Sequence, residues 1–298
     1  MKKIMLYFAV AILFVAGCMA KEPIKVLIVT GQNNHNWKIS SVAIEQTLEN
    51  SGLFQVDIAV SPPEKSDMGA FNPNFKGYKL VVLDYNGDSW NDATNRAFLD
   101  YINAGGGLIV YHAASNTFRE WKEFNKIIGF GGWGNRDESD GPYVYMKDGK
   151  VFYDSTTPGP GGSHGSQHEI LLNCGDNKHP ITKGLPSQWL HAKDELYNRM
   201  RGPGQVASPL YFSLSPADNG TGREEIPYCT IKYGKARIFH VTLGHAGNSL
   251  EDNRAMQCTG FQVMLLRGAE WAATRKVKQK VPADFPTATQ VTYRKQYK

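Results

Sequence analysis

Cysteine is scarce in this sequence. Only 4 of the 298 residues are cysteines, and no two of them stand in the CxxC spacing of redox or metal-binding motifs. The spacing therefore indicates no disulfide framework. Cys18 belongs to an N-terminal motif, which leaves Cys174, Cys229 and Cys258. We expect buried free thiols at these three positions, and a single disulfide is the alternative.

Internal repeats and low-complexity linkers are also missing. One elaborated domain over residues 24–272 is therefore predicted, followed by a tail over residues 273–298. The tail is basic, because residues 275–298 hold seven Lys or Arg and one acidic residue, Asp284. The tail and the first residues carry more than the whole formal net charge of +5, so the rest is slightly acidic. We expect no nucleic-acid partner, since the body offers no basic stripe.

The N-terminus has the pattern of an export signal. A basic start precedes an apolar run over residues 4–16, and small residues lead into Cys18. The run is too short for a mature membrane-spanning anchor. The pattern is similar to a bacterial lipobox, which predicts a signal peptide over residues 1–17 and a lipid anchor on Cys18. The protein would then be tethered to the bacterial cell envelope, and the alternative is a soluble periplasmic protein.

The first half of the body alternates apolar strands with amphipathic helices. Strands are predicted at residues 24–30, 54–60, 80–84 and 108–111, and helices at residues 39–50 and 91–104. Continuous β-branched runs such as Ile24–Thr30 are typical of strands buried on both faces. The alternation predicts an α/β fold with a mostly parallel, doubly wound sheet.

Periodicity is lost after this half. Glycines interrupt residues 129–165, which predicts a glycine-rich insertion that covers a site, with a small hairpin at residues 143–146 and 151–153. Later strands are predicted at residues 169–173, 195–200, 228–233 and 236–243, and a closing helix at residues 261–272.

Polar residues follow several of the predicted strands. Ligands in open α/β sheets bind beyond the carboxyl ends of the strands. His35, Asn86, His112 and His245 all come shortly after such an end. A single histidine there is commonly structural, but three that converge predict a site.

A second polar group lies in the middle of the chain. It contains His164 and His168 in GSHGSQHE, His179, and His191, Asp194 and Glu195 in HAKDELY. Imidazoles and carboxylates suit acid–base catalysis or a divalent metal such as zinc, and the spacing leaves both open. The candidate metal ligands are His112, His168, Glu195 and His245. Neighbouring residues of a strand point to opposite faces, so one of Asp194 and Glu195 should reach the pocket, and Glu195 is preferred.

Residues 161–165 match the GxSxG pattern of serine hydrolases. A nucleophile elbow needs a strand before the serine and a helix after it. Here a Pro-Gly loop precedes Ser163 and a strand is predicted after it. A serine hydrolase is therefore disfavoured.

Several blocks of the sequence, in order, resemble the ThuA-like (trehalose utilisation) family. They are TGQNNHNWKIS, GGGLIVYHAAS, GSHGSQHE, HPITKGLP, DELY, YGKARIFHVTLGH and LLRGAEWA. The resemblance implies the class I glutamine amidotransferase-like superfamily and its flavodoxin-like three-layer sandwich. Amidotransferases of this fold carry a cysteine nucleophile after the strand that here ends in GLIVYHAAS. This sequence has His112, Ala113 and Ala114 there, which excludes thiol-based glutamine hydrolysis.

The resemblance also implies disaccharide or 3-keto-sugar metabolism. A surface or periplasmic lyase, hydrolase or isomerase acting on a disaccharide or 3-keto-glycoside is the expected function. A ketone acidifies the neighbouring C–H bond, so His112 or His245 would serve as the general base. Asp194 or Glu195 would protonate the leaving oxygen or hold a metal that polarises the ketone.

A further set of residues is predicted to bind the substrate. They are His35, Trp37, Asn86, His164, His168 and Tyr197, and Trp133 is a further aromatic that could stack on a sugar face. A small-molecule sugar is the expected partner, and homo-oligomerisation is left open. The main alternative is a non-catalytic carbohydrate-binding lipoprotein, and a purely structural surface protein is a weaker one.

Overall fold

A mixed sheet of eleven strands runs through residues 22–294, the part of the chain that this computed structural model describes. The strands are β1 (Ile24–Thr30), β2 (Phe54–Val60), β3 (Leu80–Leu83), β4 (Gly107–Tyr111), β5 (Tyr143–Lys147), β6 (Lys150–Asp154), β7 (His168–Cys174), β8 (Gln188–Asp194), β9 (Gln205–Leu214), β10 (Glu224–Lys232) and β11 (Arg237–Val241). The helices are α1 (Trp37–Glu49), α2 (Asp92–Asn103), α3 (Lys122–Ile128), α4 (Arg254–Gln257) and α5 (Thr259–Thr274). The predicted signal peptide and Cys18 lie outside the described residues.

One half of the sheet is parallel. Its order is β2-β1-β3-β4-β11, and each strand is parallel to its neighbours in that order. Helices α1 and α5 contribute to the apolar core on one face, while α2 and α3 contribute to the core on the other. Burial on both faces explains why β1, β3 and β4 read as continuous apolar runs.

The other half of the sheet is antiparallel. Strands β10, β9, β7 and β8 continue from β11 in that order, and β5 pairs with both β6 and β10. Antiparallel strand pairs thus outnumber parallel ones, and the prediction of a mostly parallel sheet is wrong. The physical reason is the connection type, because hairpins such as β10–β11 replace helical crossovers after β4. The flavodoxin-like doubly wound arrangement stays a prediction.

The predicted elements agree best in the first half. Strands β1 and β2 have the predicted bounds, and the predicted hairpin forms from β5 and β6. The strand predicted at residues 195–200 is wrong, because the strand lies earlier, at Gln188–Asp194. It ends where the Asp194 carboxylate accepts the backbone N–H of Glu195 at 2.7 Å. Strand β9 was not predicted, and Pro209 inside it breaks the usual strand pattern.

The segment after α5 packs on the body. Phe285 is buried and its ring lies 5.4 Å from that of Trp189, while the backbone N–H of Leu190 donates to Thr287 O at 2.8 Å. Cysteines 174, 229 and 258 are free, as expected, although Cys174 is half-buried. Within residues 22–294, no helix combines the length and the apolar character needed to cross a membrane.

Candidate functional site

Four imidazole rings surround the carboxylate of Glu195. The shortest distances from its oxygens to the Nε2 atoms are 3.7 Å for His35, 3.8 Å for His112, 3.8 Å for His164 and 3.4 Å for His245. These distances exceed the roughly 3.2 Å limit of a good N–H···O hydrogen bond. Burial alone would raise the pKa of Glu195, but contact with His35 and the neighbouring imidazoles lower it to about 2. The centre of the site is therefore a carboxylate at neutral pH.

Three of these histidines come from the carboxyl ends of parallel strands. His35 follows β1, His112 follows β4 and His245 follows β11. The His35 ring centroid lies 4.5 Å from that of His112 and 4.9 Å from that of His245. Strand order thus brings together residues that are far apart in the sequence. Glu195 enters from the antiparallel half, as the first residue after β8.

His112 is held in one orientation at a strained turn. Its φ of 47° lies in the left-handed region, where a residue other than glycine costs about 1–3 kcal/mol and commonly marks a functional site. The Nδ1 atom lies 2.6 Å from the carbonyl oxygen of Thr242 and donates to it. The Nε2 atom is therefore the acceptor, and the Tyr197 hydroxyl donates to it at 3.1 Å.

Both members of this pair are neutral. Burial, together with the nearby His35, lowers the pKa of His112 to about 4. Burial raises the pKa of Tyr197 well above its ordinary value, and the charges of Glu195 and Asp194 act in the same direction. At neutral pH the site thus holds an unprotonated imidazole nitrogen next to a protonated phenol.

Asp194 lies behind the site and contacts its backbone. Its fully buried carboxylate accepts the N–H groups of Gly244 at 2.6 Å and His245 at 3.1 Å, besides that of Glu195. It also contacts Nε2 of His191 at 2.8 Å. These bonds fix the two turns that carry Glu195 and His245. Asp194 is fully buried and is not part of the cavity wall, so we expect it to position the site and not to take the catalytic role predicted for it.

A cavity of about 190 Å³ opens in front of Glu195. Its walls combine amide, imidazole and aromatic side chains: Asn34, His35, Asn86, Asn116, Trp133, His164, Glu195 and Tyr197. Sites for drug-sized ligands measure about 300–1,000 Å³, so this cavity has room for one small ring. Asn86 donates to Asn34 at 2.6 Å, and the Trp133 ring stands 4.6 Å from that of Tyr197.

Two predicted binding residues lie outside this cavity. Trp37 lines a neighbouring groove of about 910 Å³ that shares Asn34 and Asn86 with the cavity. His168 is part of β7, and its Nδ1 contacts the Ser166 carbonyl oxygen at 2.9 Å instead of the cluster. His168 is not among the side chains whose donor atoms converge near Glu195, so the structure gives no support to its predicted metal-ligand role.

Sequence reasoning missed two asparagines of the cavity wall. Asn34 lies in the loop after β1, and Asn116 ends the short 3-10 helix His112–Asn116 after β4. Asparagine is so common in such connections that it gives no distinct signal. His191 and Cys258 form a buried pair behind Asp194. Burial opposes a charged imidazole, but Cys258 and Asp194 together raise the pKa of His191 to about 9. The positive charge of His191 therefore stabilises the ionised form of the Asp194 carboxylate.

The family assignment follows from comparison with known proteins. The family model described as ThuA, trehalose utilisation, matches residues 25–272. The chain belongs to the ThuA family. The resemblance inferred from the sequence blocks is thereby confirmed. No curated protein matches the chain.

A solved structure of a ThuA-like protein supports the same assignment. A crystal structure from Parabacteroides merdae, described as ThuA-like, shares 61% identity over 93% of this chain and 99% of that one, with a TM-score of 0.91. A ThuA-like protein from Bacteroides uniformis shares 19% identity over 87% of this chain and 95% of that one, with a TM-score of 0.53. The second similarity concerns the fold alone.

Proposed function

We propose that this ThuA-family protein is a carbohydrate-active lyase, hydrolase or isomerase that acts on a disaccharide or a 3-keto-glycoside. The observation that carries the proposal is the ring of four imidazoles around Glu195 at the wall of an amide-lined cavity. Amides and aromatic rings are side chains that bind sugar hydroxyls and sugar faces. The family's trehalose-utilisation description favours the same substrate class.

The Tyr197–His112 pair is the proposed proton-handling unit. Tyr197 lines the cavity, and its hydroxyl donates to an unprotonated Nε2 of His112. A substrate O–H or an acidified C–H can pass its proton to the tyrosine oxygen while the tyrosine proton moves to His112. The imidazolium formed in this step lies 3.8 Å from the Glu195 carboxylate, which stabilises the charge. The reverse transfer returns the proton to the leaving oxygen.

Turnover of a purified 3-keto-disaccharide, followed by mass spectrometry, tests the proposal. Tyr197→Phe keeps the ring against Trp133 and removes only the hydroxyl, so we expect a loss of about 100-fold to 10,000-fold. His168→Ala is the matched control, because this imidazole lies outside the cluster. Unchanged turnover in Tyr197→Phe, with the wild-type melting temperature, would remove the pair from the mechanism.

The alternative is a carbohydrate-binding protein without turnover. It predicts that calorimetry detects sugar binding to the wild type, while long incubation gives no product by mass spectrometry. It also predicts that Asn86→Ala weakens binding, because Asn86 lines the cavity. Product formation by the wild type, lost in Tyr197→Phe, decides for the enzyme.

Export and lipid anchoring are part of the same proposal. The basic start, the apolar run and Cys18 support them. Mass spectrometry of the protein from the native cell should find a chain that begins at an acylated Cys18. The Cys18→Ser variant should appear in the soluble fraction, and a full-length, unacylated wild-type chain would contradict the proposal.

A further inference from the structure

We propose that His35, Glu195 and His245 hold a divalent metal ion of the Zn²⁺ class. This inference rests on the proposed function for the metal's use, but binding itself can be measured without any sugar. Two imidazoles and one carboxylate with an open position are a ligand set of catalytic zinc sites.

The distances within the triad suit a shared ion. One donor atom from each of the three side chains can be chosen so that all lie within 4.8 Å of one another. Zinc binds nitrogen and oxygen at about 2.0–2.2 Å, so two ligand atoms of a tetrahedral site are roughly 3.3–3.5 Å apart. The distance from Nε2 of His245 to Oε1 of Glu195 is 3.4 Å, and that from His35 to Oε2 is 3.7 Å. These two distances go to different oxygens of Glu195, and for one shared set of donor atoms every distance is at most 4.8 Å, so shifts of at most about 1.5 Å would complete the geometry.

Further contacts orient the ligands. Nδ1 of His35 lies 3.4 Å from Oδ1 of Asn33, whose Nδ2 donates to Asp84 at 3.1 Å. Such a partner on the far ring nitrogen directs Nε2 to a metal. Asp194 accepts the backbone N–H groups of both Glu195 and His245, so it sets their relative position. These supporting contacts come from three separate parts of the chain.

The two other histidines around Glu195, His112 and His164, differ in whether a ring nitrogen is available to bind the metal. Both ring nitrogens of His112 are engaged, by Thr242 and Tyr197, so His112 is excluded from the ligand set. His164 is the most exposed of the four, and its Nδ1 contacts the Gly165 carbonyl oxygen at 2.8 Å. Its Nε2 faces Glu195 from the cavity side. We assign the fourth coordination position of the metal to His164, or to a substrate oxygen that displaces His164.

The division of roles follows from this geometry. A bound ion polarises a ketone or hydroxyl oxygen of the sugar, as a Lewis acid does. The Tyr197–His112 pair then handles the proton beside it. Metal binding should depend on Glu195 and not on the Tyr197 hydroxyl, whereas turnover should depend on both. These two dependences separate the metal site from the catalytic proposal.

The test is a Zn²⁺ titration of chelator-treated protein against a chromophoric chelator. Glu195→Gln keeps the size of the side chain and removes its charge, and we expect it to weaken zinc binding at least about 100-fold. Asn33→Ala should weaken it about 10-fold to 100-fold. Tyr197→Phe and His168→Ala should stay within about 3-fold of the wild type. Substituting Co²⁺ should give the intense visible absorption of a tetrahedral site in the wild type and not in Glu195→Gln.

Each outcome decides one proposal. Wild-type binding that is weaker than micromolar, or equal zinc affinity in Glu195→Gln and the wild type, overturns the metal site. Tight zinc binding through Glu195 without conversion of any sugar keeps the metal site and overturns the proposed enzyme. Full turnover by protein that metal analysis shows to be free of metal overturns the metal's use in catalysis and keeps the enzyme. Circular dichroism of every variant checks that the fold is intact.

Discussion

Replacement of Asp194 by asparagine should lower both the free energy of unfolding and the zinc affinity of the site. Oδ1 of Asp194 accepts the N–H groups of Glu195 and His245, while Oδ2 accepts that of Gly244 and contacts His191. An asparagine has one oxygen and one NH₂ group. In either orientation of the amide, its NH₂ group takes the place of a carboxylate oxygen. The backbone N–H groups that donated to that oxygen then lose their acceptor.

The magnitude follows from the lost bonds. A buried donor left without an acceptor costs about 1–3 kcal/mol. One or two such groups, together with the loss of the charge opposite His191, should lower the free energy of unfolding by about 2–5 kcal/mol. Domains are commonly stable by about 5–15 kcal/mol, so Asp194→Asn should fold but melt early.

Urea denaturation followed by circular dichroism at neutral pH measures the change. Asp284→Asn is the matched control, because Asp284 pairs with Arg294 but is half-exposed. Exposed ion pairs contribute about 0–1 kcal/mol, so this control should stay near the wild type. Zinc affinity should fall only in Asp194→Asn. A stability loss in Asp194→Asn no larger than that of the control would refute the positioning role.

Three further predictions concern other parts of the chain. Burial raises the pKa of Glu225 from 4.5 to about 7, so the folded state keeps a proton that the unfolded chain releases in this range. Wild-type stability should therefore fall by about 3 kcal/mol relative to Glu225→Gln as the pH rises from about 4.5 to 7, and parallel profiles in urea would contradict this. A Cβ at Gly162 would lie 2.3 Å from the backbone nitrogen of Trp133, whereas one at Gly149 meets open space. Both glycines have positive φ, so Gly149→Ala should cost about 1 kcal/mol in urea denaturation and Gly162→Ala clearly more, and equal costs would refute the contact. Chelation should lower the melting temperature of the wild type but not of Glu195→Gln, and the same shift in both would place the metal elsewhere.

The parallel half of the fold was predictable from local patterns. Buried parallel strands have a distinct apolar signature, and their carboxyl ends share one edge of the sheet. The convergence of His35, His112 and His245 follows from that rule and needs no knowledge of side-chain contacts. The left-handed backbone of His112 and its bond to Tyr197 do not follow, because they depend on packing between distant segments.

The antiparallel half was less predictable for physical reasons. Pro209 interrupts the pattern of β9, and β8 ends where the Asp194 side chain takes over backbone hydrogen bonding. Strand alternation predicts that only one of Asp194 and Glu195 reaches the cavity. Which of the two it is depends on the register and the end of β8, which the sequence does not show. Asn34 and Asn116 gave no signal, since asparagine is ordinary in the connections that follow strands.

A crystal structure of Tyr197→Phe soaked with a 3-keto-disaccharide would show whether the cavity in front of Glu195 holds the sugar. We expect one sugar ring in the cavity, with its oxygens within hydrogen-bond distance of Asn34 and Asn86 and its keto group directed at the Glu195 cluster. Sugar bound only in the groove beside Trp37, or at no site near Glu195, would contradict it.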